Sequence, residues 1–255
     1  MAIAWQAGYA SQVWVWTGLI GSYSVSGNVT FTVVSNTTGG FDLRMDIVNT
    51  AAALPPSTAD ILTGVYFDIT APGQGAIGMK SATASGGVID TAHPTVPASD
   101  TIGDNICAPG VGRNALDNTC ASTVSGGWEA AYRATGLGSG IPQHYGVGTM
   151  TLGGVFNPST HNGVGSYNYG IVGSAGLNSS VSGFRNNTPY VYETATIVLT
   201  GLVTSNVTIS NVSAEYGSAP LEFDASGLVS GPEPSTWLIA GCGLAALCWF
   251  RRKPG

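Results

Sequence analysis

The chain has 255 residues, a formal net charge of −6 and only 9% charged residues, and nothing in it reads as a nucleic-acid binder. Its cations ahead of the last five residues are Arg44, Lys80, Arg113, Arg133 and Arg185, too few and too scattered for a basic patch. Hydrophobic residues make up 44% and glycine occurs 37 times, which excludes intrinsic disorder and suits an all-β exported protein with many turns.

Residues 1–10 contain no Lys or Arg, whereas an export signal opens on a basic segment. The start of an exported precursor is therefore expected upstream of Met1. Residues 13–34 already read as strand, and residues 23–34 alternate with period two. Residues 36–40 are a turn. Phe41, Leu43, Met45 and Ile47 then share one face, with Asp42, Arg44 and Asp46 on the other, and the pair forms the clearest hairpin of the chain. Residues 61–70 are a third strand. Residues 84–140, rich in Gly, Pro and Asn, are expected to be a long irregular excursion, with 126–133 one helical turn or a strand. Residues 145–156 read as strand and 157–188 as glycine- and asparagine-rich loop. Residues 191–199 and 207–216 are two further alternating strands joined around Ser205 and Asn206. No soluble amphipathic helix is expected. The fold class is mainly β: a β-sandwich-like, jelly-roll type domain over residues 1–224.

The chemistry-bearing residues are sparse. Gly73 to Gly78 fits G-x-G-x-x-G, but Lys80 to Gly87 is too glycine-rich for the helix that a dinucleotide site needs, so a β-turn in a hairpin is the better reading. His93, His144 and His161 stand alone, with no second metal ligand at suitable spacing, and no G-x-S-x-G elbow occurs. A hydrolase would need one of these histidines beside a Ser and an Asp. Trp14, Trp16, Trp128, Tyr145, Tyr167, Tyr169, Tyr190 and Tyr192 would form a sugar-stacking face in a lectin-like module, or else pack strands. Asn-x-Ser/Thr sequons at Asn28, Asn36, Asn178, Asn186, Asn206 and Asn211 mark turns. No cofactor, metal site or catalytic residue is expected.

Residues 225–234 form a linker that ends on Pro232, Glu233 and Pro234. An uncharged run from Thr236 to Phe250 follows, then Arg251, Arg252 and Lys253. As a helix the run spans about 22 Å, so flanking residues must extend it or the bilayer must thin. Trp237 and Trp249 stand at its ends, where interfacial indoles are favoured. The segment 235–250 is read as a transmembrane helix, and residues 251–255 as a basic cytoplasmic tail that leaves the rest of the chain outside.

This order of triplet, apolar helix and basic stop resembles the PEP-CTERM sorting signal of exosortase-dependent bacterial surface proteins. Asn49-Thr50, Ala59 to Ile69, Tyr167 to Val172 and Ile209 to Gly217 are similar, less specifically, to strands of such proteins. The resemblance implies that exosortase reads Pro232, Glu233 and Pro234, cuts near them, and passes the protein from the membrane to the cell surface or the extracellular polysaccharide. In an exported protein Cys107 and Cys120 are expected to form a disulfide closing a small loop.

Overall fold

The computed structural model describes residues 11–20, 23–51, 61–89, 98–103, 128–138, 140–149, 170–173, 190–217, 222–224 and 226–228. Among these residues there is no helix, and the mainly β expectation holds. The strands are β1 (Gln12–Ile20), β2 (Tyr23–Ser35), β3 (Phe41–Asn49), β4 (Leu62–Thr70), β5 (Gly78–Ile89), β6 (Ala98–Gly103) and β7 (Glu129–Tyr132). They continue with β8 (Tyr145–Gly148), β9 (Ile171–Val172), β10 (Tyr190–Tyr192), β11 (Thr194–Leu202), β12 (Thr208–Tyr216), β13 (Glu222–Asp224) and β14 (Ser226–Leu228).

All of them belong to one hydrogen-bonded set, ordered β13-β12-β4-β9-β10-β5-β11-β3-β2-β1-β14. β6 adds to β5, β8 to β4 and β7 to β8. The hairpin β2–β3 pairs in continuous register from Gly27↔Asn49 to Ser35↔Phe41. Its turn is closed by Asn36, whose Oδ1 accepts from the Gly40 N–H at 2.8 Å and the Thr38 N–H at 3.1 Å. An Asn side chain bonded this way mimics a backbone turn.

The period-two pattern decides which residues meet. Val25, Val29, Phe31 and Val33 of β2, Leu43, Met45 and Ile47 of β3, and Ala195, Ile197 and Leu199 of β11 all turn to one buried core. That core is closed from the other side by Val65, Phe67 and Ile69 of β4. The rings of Phe31 and Phe67 lie 5.0 Å apart although β2 and β4 are far from each other along the strand order. The sheet therefore folds over, and its ends face across apolar side chains.

Its two ends are then joined. β13 pairs with β12, β14 pairs with β1, and only Ala225 separates β13 from β14. One short stretch thus straps the first strand to the twelfth. Beside it, the Gln12 carboxamide spans the same seam: Nε2 donates to the Val207 carbonyl at 3.2 Å and Oε1 accepts from the Ile209 N–H at 3.0 Å. Deeper in, the Trp16 indole N–H donates to the Tyr216 hydroxyl at 3.0 Å, and that hydroxyl donates to the Ser26 carbonyl. Trp16 fits because Gly27 lies under it: a Cβ there would come within 2.6 Å of the indole.

Some expectations are corrected. The turn over residues 71–77 is present, but β4 and β5 are not neighbours, so it links distant strands rather than closing a hairpin. The two strands expected around Ser205 and Asn206 are β11 and β12, and their link also joins strands that are not neighbours. The expected excursion over residues 84–140 contains the end of β5, β6 and β7, and Glu129–Tyr132 is strand rather than helical turn. The segments 235–250 and 251–255 lie outside the described residues.

Candidate functional site

Every residue that the sequence singles out for sorting, Pro232, Glu233, Pro234, Arg251, Arg252 and Lys253, lies outside the described residues, as do Cys107 and Cys120. The fold does show what delivers the sorting segment. β14 runs antiparallel to β1, from Ser226 opposite Val15 to Leu228 opposite Val13. β14 therefore finishes at the end of the domain where β1 begins, four residues before Pro232 in the sequence.

A second polar constellation sits on the outer face of β4. Most of that strand, from Leu62 to Phe67, is buried on both faces. The core covers one face, and on the other the Tyr66 ring lies near Leu137 above Gly146 of β8. Asp68, near the strand's end, is ringed by donors. His144 gives its backbone N–H at 2.9 Å and Nδ1 at 2.7 Å to Oδ1, and Asn211 Nδ2 donates to Oδ2 at 2.7 Å. Asn211 reaches there from a bulge in β12 with φ of 48°, a left-handed conformation that Asn tolerates better than most residues. Burial alone would raise the Asp68 pKa. The hydrogen bonds from Asn211 and His144, with the imidazole's charge, outweigh it and hold the carboxyl below its ordinary 3.8.

His144 is thus the one candidate histidine that the described residues place beside an aspartate. Among the described residues, the serine across from Asp68 stands on the side away from His144. Ser210 is directly opposite Asp68 on β12, while His144 is level with Asp68 at the start of β8. The order across the sheet is Ser210, Asp68, His144. With strands spaced about 4.8 Å apart, Ser210 and His144 are about 10 Å apart at the backbone, and the aspartate stands where a triad needs the histidine. His93 and His161 lie outside the described residues.

Farther along the same face is a pair of carboxyl groups that the sequence reading missed. Glu215 of β12 and Glu129 of β7 are both fully buried. They occupy one cross-strand row, Glu215–Gly64–Gly148–Glu129, with two glycines between them. The Tyr66 hydroxyl donates to Glu215 Oε2, and Gly64 leaves the room for it, since a Cβ there would lie 2.9 Å from the Tyr66 oxygen. Gln143 donates to the Ser213 hydroxyl and the Asn211 carbonyl, each at 3.0 Å. A signal is present in the sequence: residues 64–67 break the alternation of the strand, and a run without alternation marks a strand covered on both faces.

The aromatic residues proposed for sugar stacking divide. Trp16, Trp128, Tyr145 and Tyr190 are buried, Trp14 and Tyr192 are half-buried against the core, and Tyr167 and Tyr169 lie outside the described residues. Burial, Tyr132 and Asp68 together push the Tyr145 hydroxyl well above its ordinary pKa, so it stays protonated as a donor to the Gly75 carbonyl. The G-x-G-x-x-G stretch is filled by its own chain: Gln74 bridges to the Gly201 carbonyl and the Val203 N–H. Among the described residues, no three His, Cys, Asp or Glu side chains cluster so as to hold a metal ion.

Comparison with protein families finds the PEP-CTERM protein-sorting motif at residues 232–253. No curated protein and no solved structure matches the chain. The motif covers the triplet, the apolar run and the basic cluster together, and it marks the chain as an exosortase target sorted to the cell envelope.

Proposed function

We propose that this is an exported, non-enzymatic protein of the cell surface or extracellular matrix, made as a substrate of exosortase. The observation that carries the reading is the sorting motif at residues 232–253, set immediately behind the strand that closes a β domain. In the precursor, residues 235–250 insert as a membrane helix and Arg251, Arg252 and Lys253 hold its end at the cytoplasmic face. Exosortase reads Pro232, Glu233 and Pro234. The prolines keep the backbone extended and present the carboxylate between them. Cleavage near the triplet then frees the domain for the surface or its polysaccharide. The catalytic groups belong to the enzyme, and this chain supplies the recognised peptide.

The ectodomain is a sandwich-like, jelly-roll type body with a structural or adhesive role. Its folded-over sheet, its buried core and its scarcity of charge support that. The alternative of a lectin-like module is weakened by burial of four of the six described aromatic candidates. The test is intact mass and location of the protein in cells with and without exosortase. Loss of the C-terminal helix only when the enzyme is present supports the reading. An uncut chain in the same location in both strains refutes it.

A further inference from the structure

The strand order fixes the end of the domain at which β14 finishes, and the turns gathered at this end carry no charged residue. β14 leaves the fold beside the start of β1. The start of β1 lies near the end of β2, with Gln12 opposite Phe31. Ser35 of β2 faces Phe41 of β3, and Phe41 faces Leu202 of β11. Thr200 of β11 faces Gly78 of β5, and Thr208 of β12 faces Thr70 of β4. The turns 36–40, 71–77 and 203–207 therefore share the exit end. They read Asn-Thr-Thr-Gly-Gly, Ala-Pro-Gly-Gln-Gly-Ala-Ile and Val-Thr-Ser-Asn-Val, with no charged residue.

We propose that this uncharged end is the surface that stands against the lipid bilayer while the C-terminal helix is inserted. The proposal rests on the membrane-anchor reading above and adds an orientation to it. Two observations carry it. The first is length. From Leu228 to Ser235 the chain has seven steps, which span at most about 25 Å fully extended. β2 alone, with twelve steps from Tyr23 to Ser35, is about 40 Å long. The leash cannot pass along the domain, so the exit end is the one that stays by the membrane.

The second observation is charge. The chain carries 14 Asp and Glu, all of them ahead of the terminal cations. An anionic lipid surface repels carboxylates, and salt screens that repulsion only beyond about 8–10 Å. The exposed residues of the three turns include Thr37, Thr38, Pro72, Gly73, Asn206 and the apolar Val203, which is 52% exposed. Among the described residues, the carboxylates nearest these turns stand behind them and are paired, Asp42 with Lys80 at 2.7 Å and Asp68 with His144 at 2.7 Å. Arg133, whose N–H donates to the His144 carbonyl, adds a cation at this end, the sign that an anionic surface attracts. The opposite end carries Glu193, held at φ 54° between β10 and β11.

The experiment uses the full chain in vesicles that contain anionic lipid and a lipid with a photoactivatable headgroup, with labelled peptides mapped by mass spectrometry. Labelling of turns 36–40, 71–77 and 203–207 should exceed labelling around Thr50 and Glu193 severalfold. A flexible Gly/Ser insertion after Leu228, long enough to exceed the domain's length, should level the two ends, because the short leash sets the orientation. Equal or reversed labelling in the native chain, or a preference that survives the insertion, overturns the proposal while leaving the anchor reading intact. A chain that does not float with the vesicles overturns both.

Discussion

Replacing Gln12 with Ala should loosen the seam between the first and twelfth strands without touching the core. On one edge β1 pairs with β2 along its whole length. On the other edge its pairing with β14 covers only Val13, Trp14 and Val15. Next to that short ladder the Gln12 carboxamide takes the place of a strand, with one bond to the Val207 carbonyl and one from the Ile209 N–H. A net hydrogen bond is worth about 0.5–1.5 kcal/mol, and the site is partly open to water, so losing both should cost about 1–2 kcal/mol. In a domain of this size that lowers Tm by about 3–6 °C. The sharper assay is amide hydrogen exchange. The Ile209 N–H, which loses its own acceptor, should speed up by more than the roughly 5–30-fold global loss that Ile197, in the middle of β11, follows alone. An unchanged Ile209 rate in the variant would refute the idea that this side chain closes the sheet.

Other outcomes follow from the same contacts. Tyr66→Phe removes the hydroxyl that donates to the buried Glu215 carboxyl and should cost about 1.5–3 kcal/mol in denaturant unfolding. Gly86→Ala would place a Cβ on the Tyr192 carbonyl oxygen, and Gly146→Ala would bring one within 2.6 Å of the Tyr66 ring; each should destabilise by about 1–3 kcal/mol or more, read by thermal melting. Asp68 is held below its ordinary 3.8, so its contribution is present above that pH and is lost as pH falls through the lower folded value. Stability measured from about pH 6 down to about pH 2 should therefore fall less steeply at the acid end in Asp68→Asn than in the native chain.

The hairpin β2–β3 is legible because alternation, an Asx turn and a second alternating strand follow each other within one short stretch, and local pattern is what a sequence displays. The sorting tail is legible for a similar reason, since its three parts are contiguous. The links from β4 to β5 and from β11 to β12 look locally like hairpin turns. Only the long-range pairing of β4 with β12 and of β5 with β11 shows that they are not. Glu129 and Glu215 stay hidden because a glutamate in a strand reads as solvent-facing, and nothing local reveals that β7 and β8 extend the sheet beside β4. The Asp68–His144 contact joins residues far apart in the chain and depends on that same extension.

The strap over residues 222–228 also has a mechanical consequence. Under the proposed function, a pull from an attached matrix would enter the domain through the end of β14. β14 points out of the domain along its own axis, antiparallel to β1, and β13 lies likewise against β12. A load in that direction runs parallel to the strands, so the hydrogen bonds of each pairing resist it together rather than opening one after another. The first strand and the twelfth share the load through a single covalent stretch, and the point of attachment coincides with the seam that closes the fold.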